Sequence, residues 1–156
     1  MSDNFTEQLE TLLYEALPLV KALDCRVEAG RPGYVRLTMS RSPIVVNHFG
    51  AFHAGALYTF AETVGGAIVA ASFDLVNNTL INKRGEIRYR KIVTQKAVSE
   101  AHFDMEEVER LMAEVNEKGK TEFGYSVIVK NQDDEIACEV DFDFYLRTNS
   151  NRQNRK

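Results

Sequence analysis

A histidine, an alanine-glycine pair and a glutamate are spaced in a way that could support acyl chemistry. Asn47 begins the segment NHFGAFHAGAL, in which His53 precedes Ala54 and Gly55, and Glu62 follows eight residues after Ala54. The alanine-rich apolar pattern after this segment predicts a long helix that starts here. The first N–H groups of a helix have no internal partner and lie at the positive end of its dipole, so they can bind a carbonyl oxygen that gains negative charge. A carboxylate such as Glu62 could attack that carbonyl or activate water against it.

The same residues also have plain structural interpretations. A single glutamate in an alanine-rich helix is often a flank residue that pairs with a lysine or arginine, and His53 could simply start the helix. If Glu62 instead lies against apolar neighbours, it is poorly solvated, which raises its proton affinity and suits a nucleophile or a base. Composition alone does not decide between the two situations, and the spacing of Glu62 from the His53-Ala54-Gly55 helix start favours the second.

The composition is that of one globular domain. The chain has 156 residues, of which 44% are hydrophobic and 27% are charged, enough for a substantial core. We predict a single domain over residues 1–147 and a disordered tail over residues 148–156, where the sequence is polar and unpatterned. The net charge of −4 argues against a general nucleic-acid-binding protein.

Cysteine usage and the N-terminal sequence predict a cytoplasmic protein. Cys25 and Cys138 have no metal-ligand spacing and make a poor disulfide framework, although a single disulfide stays open. The histidines form no known metal pattern with nearby acids, so we expect neither a metal nor a cofactor. The chain start lacks the basic and apolar regions of a signal peptide, and we expect no segment long and apolar enough to cross a membrane.

Hydrophobic periodicity predicts the order of helices and strands. Helical spacing predicts an N-terminal helix with a capping-box-like start at Asn4 and a limit at Pro18. A later amphipathic helix has a capping box of Asp104 and Glu107, and Gly119 ends it. Period-two alternation predicts the strands. The predicted ranges are two strands within 23–40 around a turn at 30–33, the central helix over about 54–72, strands over 80–93 and 96–103, the inserted helix over 104–117, and a hairpin over 123–146 that turns at 131–134.

This order predicts an α+β domain in which one helix covers one sheet. An antiparallel sheet of about six strands wrapped around a central helix, with an N-terminal helix and an inserted helix between late strands, is the hotdog fold. The segment also resembles the pattern N-x5-H-G-G-x-L-x3-A-D-T of the phenylacetate-type hotdog acyl-CoA thioesterases, a superfamily with an uncharacterised thioesterase-like branch. The matching residues are Asn47, His53-Ala54-Gly55, Leu57 and Ala61-Glu62-Thr63.

The resemblance implies a role for each matching residue. In that family the backbone N–H after the histidine, here that of Ala54, polarises the thioester carbonyl. The acid eight residues later, here Glu62, acts as nucleophile or as general base for water. Gly55 is retained, whereas Ala54 replaces a glycine and adds a methyl group that could restrict the approach of the backbone. Asn47 and His53 match residues that shape the carbonyl-binding loop.

The resemblance also implies an assembly and a substrate class. In the family the two catalytic elements come from opposite subunits, which implies a homodimer, with a tetramer as an open alternative. The partner would be a thioester of CoA or of acyl carrier protein, and neither a nucleic acid nor a membrane. Arg84, Arg88, Arg90 and Lys91 could bind the phosphates of CoA, or they could form a solvated strand face.

Two other functions stay open at this stage. Because His-Ala-Gly replaces His-Gly-Gly, the domain could be a noncatalytic hotdog module that binds an acyl group or another protein. The hydratase and dehydratase branch of the fold is a further alternative, although its Asp and His pair occurs in a different motif.

Gly65 and Gly66 lie in the middle of the central helix, where they favour close packing over making room for an acyl chain.

Overall fold

The computed structural model describes residues 2–149, and the side chains of residues 4–149, with the helices and strands in the predicted order. The helices are α1 (Ser2–Ala16), α2 (Pro18–Ala22), α3 (Ala54–Ser72) and α4 (Met105–Lys118). The strands are β1 (Cys25–Arg31), β2 (Tyr34–Ser40), β3 (Asn78–Tyr89), β4 (Lys96–His102), β5 (Lys120–Lys130) and β6 (Ile136–Thr148). The short helix α2, which begins at Pro18, was not predicted.

A single antiparallel sheet surrounds α3. Its strand order is β1-β2-β4-β5-β6-β3, and every neighbouring pair runs antiparallel. The apolar side of α3, including Phe60, Val64 and Ile68, is fully buried, as are Leu37 and Met39 of β2. The predicted α+β architecture, with about six antiparallel strands around a central helix, is confirmed.

One stripe of α3 is left uncovered by the sheet. Between positions 56 and 71, the residues that are not buried are Tyr58, Thr59, Glu62, Gly66 and Ala70. Four of them recur at intervals of four residues, the spacing of neighbours on one side of a helix. The central helix is therefore packed on most of its circumference but open along the side that carries the glutamate.

The paired glycines of α3 face different surroundings. A Cβ atom on Gly65 would lie 3.0 Å from Cζ of Phe144 on β6, so a glycine at this position permits close packing against the sheet. A Cβ atom on Gly66 would have no neighbour within 4 Å. Packing against the sheet therefore explains Gly65 and leaves Gly66 on the uncovered stripe.

By length and composition alone, α3 meets the requirements for a membrane-spanning helix. It has 19 residues and a mean hydropathy of 1.3 in its most apolar window, so the expectation that no segment approaches this size is wrong. However, 61% of that window is buried inside the domain, where the sheet supplies the apolar surroundings.

The two edge strands of the sheet differ in how they are covered. Along β1, the main-chain N–H groups of Val27 and Gly30 donate to α1 side chains, to Glu10 Oε2 at 2.9 Å and to Thr6 Oγ1 at 3.1 Å. On the opposite edge, β3 pairs only with β6, and we find no comparable side-chain bond to its main chain within residues 4–149. A free edge strand of 12 residues is a template for pairing with another chain.

A β-bulge in β3 determines which of its residues face α3. The pairing of β3 with β6 shifts register between Asn82 and Arg84, which makes Lys83 the extra residue. A Cβ atom on Gly85 would meet the hydroxyl group of Tyr58, so Gly85 faces α3. Side chains alternate between the faces of a regular strand, so Asn82 would point away from α3 if the bulge were absent. The bulge therefore places Asn82 on the inner face.

The structure confirms the predicted ends of the inserted helix α4 but does not show the predicted capping box. Asp104 is the N-cap and accepts a hydrogen bond from the main chain two residues later at 3.0 Å. Gly119 ends the helix with a φ of 76°, in the left-handed region. Glu107 does not complete a capping box, because its carboxylate accepts from Arg110 one turn further along.

The two ends of the chain also differ from the prediction. α1 begins at Ser2, so Asn4 lies inside the helix and is not its N-cap. Ser2, Asp3 and Asn4 are residue types with similar and only mildly unfavourable helix propensities, so the helix can extend through all three toward the N-terminus. At the other end Thr148, predicted to lie in the tail, is the last residue of β6. Residues 150–156 of the predicted tail lie outside the described residues.

Candidate active site at the start of the central helix

The loop before α3 is held by Asn47. Its Oδ1 accepts hydrogen bonds from the N–H groups of Phe49 at 3.0 Å and Ala51 at 3.2 Å, and its own N–H donates to Ala51 O at 2.7 Å. Gly50, with a φ of 77°, completes the turn by donating to Asn47 O at 3.0 Å. The side-chain oxygen and the main-chain N–H and carbonyl of Asn47 therefore all stabilise the loop.

The first turn of α3 leaves the main-chain N–H of Ala54 without an acceptor among the described residues. His53 is the N-cap, and its Nδ1 accepts from Gly55 N–H at 2.9 Å. The peptide before Ala54 is fixed, because His53 N–H donates to Val45 O at 2.7 Å and His53 O accepts from Leu57 N–H at 3.1 Å. Within the described part of the chain, we find no acceptor for the N–H of Ala54. The N–H of Gly55 is therefore occupied, and that of Ala54, the predicted donor, is available.

Tyr89 also contacts this turn, which we did not predict. Its hydroxyl group, at the end of β3, donates to Ala54 O at 2.8 Å. Partial burial raises the pKa of Tyr89 above its usual value, so the hydroxyl stays a donor near neutral pH. The alternation of β3 shows that Tyr89 shares a strand with the arginines, but only the fold reveals that it reaches the helix start.

Glu62 lies on the uncovered stripe of α3, two turns beyond Ala54. Its carboxylate is exposed in the single subunit, so the expectation of poor solvation is wrong for one chain alone. The physical reason is that the sheet does not cover this side of the helix. Glu62 Oε1 accepts from the amide Nδ2 of Asn82 at 2.9 Å, which is a second contact that the sequence did not predict.

The helix geometry keeps Ala54 and Glu62 apart within one subunit. Eight residues of α-helix span about 12 Å along the axis, and the two positions differ by about 80° around it. A nucleophile must lie about 3 Å from the carbon that it attacks, while the oxyanion donor lies at a similar distance from the oxygen. One subunit therefore contains both parts of the predicted site, but they lie too far apart to act on the same carbonyl group.

The predicted phosphate-binding cations lie elsewhere. Arg84, Arg88 and Arg90 alternate with the residues of β3 that face α3, so they lie on the outer face of the sheet. They and Lys91 pair with carboxylates. These pairs are Arg84 with Glu86 and Asp143, Arg88 with Glu86 and Asp141, Arg90 with Glu139, and Lys91 with Glu135. The structure therefore does not bring these side chains together with Ala54 or Glu62.

The cysteines have the character of core residues. Cys25 and Cys138 are free and buried, and burial raises the pKa of each thiol to about 12. A thiol in this state is a poor nucleophile and a poor metal ligand. Among the residues that the structure describes, no group of three or more His, Cys, Asp or Glu side chains could hold a metal ion.

Comparison with known families identifies the domain. The profile of DUF4442, a domain of unknown function, matches residues 6–146. The chain belongs to this family. No curated protein matches this DUF4442 protein.

Solved structures relate the DUF4442 protein to thioesterases. A Pseudomonas aeruginosa protein described as of unknown function and a probable thioesterase is 34% identical, with a TM-score of 0.84, over 92% of this chain and 95% of that one. A Chlorobaculum tepidum protein of unknown function is 16% identical, with a TM-score of 0.82, over 95% and 97% of the two chains. A Haemophilus influenzae thioesterase is 14% identical, with a TM-score of 0.71, over 92% and 90%. The predicted hotdog fold and the relation to the thioesterase superfamily are confirmed.

Proposed function

We propose that this DUF4442 protein is a thioester hydrolase that acts on acyl-CoA or on acyl carrier protein thioesters. The observation that carries the proposal is the N–H of Ala54, fixed at the N-terminus of a long helix and left without an acceptor among the described residues. A donor in this position binds a carbonyl oxygen more strongly as the oxygen becomes negative during attack. The structural similarity to thioesterases supports a thioester as the source of that carbonyl.

Glu62 supplies the second half of the proposed reaction. As a general base, it takes a proton from water while the water oxygen bonds to the thioester carbon; the C–S bond then breaks and the thiolate receives a proton. As a nucleophile, its carboxylate attacks the carbon directly and forms an anhydride, which water then cleaves. Either route consumes one water and yields a carboxylic acid and a thiol. In both routes Ala54 N–H stabilises the tetrahedral oxyanion.

The separation of Ala54 and Glu62 within one helix supports an active site shared between two subunits. β3 runs beside α3 in the opposite direction, so that Tyr89 bonds to Ala54 and Asn82 bonds to Glu62. If the free edges of two β3 strands pair antiparallel about a two-fold axis, each strand is reversed relative to the other. The Glu62 end of one α3 then lies near the Ala54 end of the second.

A register centred on Glu86 satisfies this requirement. Gly85 of one strand then lies opposite Ile87 of the other, and Lys83 and Arg84, the two residues at the bulge, lie opposite Arg88. Asn82 of one strand therefore lies opposite Tyr89 of the other. Directly opposed residues of antiparallel strands share a face, and the bulge is what gives both residues the inner face. We therefore propose a homodimer with two active sites, each built from Ala54 of one subunit and Glu62 of the second.

The test of the proposed function is thiol release from a panel of acyl-CoA thioesters that differ in chain length and aromaticity. We expect catalytic turnover of at least one member, measured with a thiol-reactive chromophore, with equimolar carboxylic acid as the other product. An absorbance change of crotonyl-CoA without thiol release would instead indicate hydration. Thermal stabilisation by acyl-CoA without turnover over long incubation would contradict the hydrolase and indicate a binding module.

A further inference from the structure

Asn82 of β3 makes a directed contact with the carboxylate of Glu62. Its amide Nδ2 donates to Glu62 Oε1 at 2.9 Å, the one hydrogen bond that we find for this carboxylate within residues 4–149. We propose that Asn82 is a positioning residue, which holds Glu62 Oε1 so that Oε2 is directed at the thioester carbon or its attacking water. This inference rests on the proposed function of Glu62.

The chemistry of the contact suits a reactive carboxylate. An exposed glutamate samples many rotamers, and fixing such a side chain costs conformational entropy. Other carboxylates on the sheet form ion pairs with cations instead: Glu139 on β6 pairs with Arg90, and Glu122 on β5 pairs with Lys83. A cation would stabilise the charged carboxylate and lower its basicity. A neutral amide fixes the direction of Glu62 with a smaller electrostatic effect.

The backbone of β3 is bent in the way that this contact requires. Asn82 immediately precedes Lys83, the extra residue of the bulge. In a strand without the bulge, Asn82 and Gly85 would point to opposite faces, and the side chain of Asn82 would point away from α3. Bulges often re-aim a side chain near an active site. Here the residue that the bulge turns toward α3 is the one that bonds to Glu62.

The second polar atom of Asn82 is a further sign of a constrained role. Its Oδ1 is buried and has no hydrogen-bond partner among the described residues. Leaving a buried acceptor unpaired is destabilising, so a structural asparagine would be expected to satisfy it. The carboxylate of Glu62 can accept only from the Nδ2 side of the amide, and this bond fixes the orientation that leaves Oδ1 unpaired.

Two variants and one control test this role. Asn82→Ala removes the donor, and Asn82→Asp replaces it with a like charge of the same shape. Asn77→Ala is the matched control, because Asn77 Nδ2 donates to the Asp74 carboxylate at 2.8 Å in an exposed loop. The readouts are kcat and KM for thiol release, the pH–rate profile, and the titration of the Glu62 carboxyl carbon by NMR, which does not depend on turnover.

We expect Asn82→Ala to lower kcat by about 100-fold, the cost of misplacing a reacting group by about 1 Å, with little change in KM. Asn82→Asp should move the titration of Glu62, and with it the acid limb of the pH–rate profile, to higher pH, since a nearby negative charge disfavours ionisation. Asn77→Ala should change neither. A merely structural contact would not lower kcat while leaving KM unchanged.

The proposal about Asn82 and the proposed function fail in different ways. If Glu62→Gln is inactive but both Asn82 variants match Asn77→Ala in kcat and in the titration of Glu62, the positioning role is wrong and the hydrolase stands. If Glu62→Gln retains full activity, the proposed function of Glu62 is wrong and the catalytic role of Asn82 falls with it. The NMR titration then still reports whether the two side chains are in contact.

Discussion

Replacing Glu62 by glutamine is expected to lower kcat for thioester hydrolysis by about 10²- to 10⁴-fold, the range for loss of a positioned acid–base group. Glutamine has nearly the same shape, and its carbonyl oxygen can still accept the hydrogen bond from Asn82. It can neither take a proton from water nor attack as a carboxylate. Because Glu62 is exposed on the uncovered stripe of α3, the free energy of unfolding should change little.

The control for this variant is Glu109→Gln. Glu109 is also an exposed helical glutamate, on α4, and its replacement changes the net charge by the same amount. We expect Glu109→Gln to keep the kcat and KM of the parent protein. Equal turnover by Glu62→Gln and Glu109→Gln would show that Glu62 has no catalytic role.

Replacing Ala54 by proline is expected to lower kcat by about 10²- to 10³-fold, the cost of losing one oxyanion donor. Proline removes the main-chain N–H and is well tolerated at the first position of a helix, where the N–H has no helical partner. The preceding residue, His53, already has φ −62° and ψ 137°, a conformation that a following proline favours. The variant therefore removes the proposed donor with little expected change in the fold.

Ala54→Gly is the matched control, because it alters the side chain but keeps the N–H. We expect it to retain activity, and a higher kcat than the parent would show that the methyl group of Ala54 restricts approach to the donor. Circular dichroism and thermal unfolding should be close to the parent for the proline variant. Full activity of Ala54→Pro in a folded protein would rule out this N–H as the oxyanion donor.

Local patterns were sufficient to predict most of the fold. The strands follow period-two alternation because one face of each packs on α3, and Asp104 and Gly119 mark helix ends through their own backbone chemistry. The start of α3 at Ala54 was predictable for the same reason, since His53 acts on the turn that follows it. These features depend on residues close together in the sequence.

The parts of the site that were missed depend on residues far apart in the sequence. Asn82 reaches Glu62 only because a bulge changes the face of β3, and Tyr89 reaches Ala54 only because β3 runs beside α3. Alternation alone could not locate the bulge, since residues 82–86 around the extra residue are all polar or glycine and the change of face leaves no distinct signal in the pattern.

The solvation of Glu62 could not be predicted from the sequence for a related reason. The alanines and glycines of α3 permit close packing on every side, but composition does not say which sides another element covers. In one subunit the stripe with Glu62 and Gly66 stays open. The proposed homodimer would bring a second subunit to this stripe, so the solvation expected from the sequence would belong to the assembly and not to the single chain.

The most direct measurement of a shared active site is complementation between Glu62→Gln and Ala54→Pro. Each variant alone is expected to be nearly inactive. In a mixed dimer one site combines the intact Ala54 of one subunit with the intact Glu62 of the other, and the second site carries both defects. Random assembly of equal amounts makes about half of the dimers mixed.

We therefore predict that co-expressed or co-refolded variants recover about a quarter of the activity of the parent protein, measured as thiol release per subunit, with mixed dimers confirmed by native mass spectrometry. Mixed dimers that form but remain as inactive as the two separate variants would contradict an active site built from Ala54 of one subunit and Glu62 of the second.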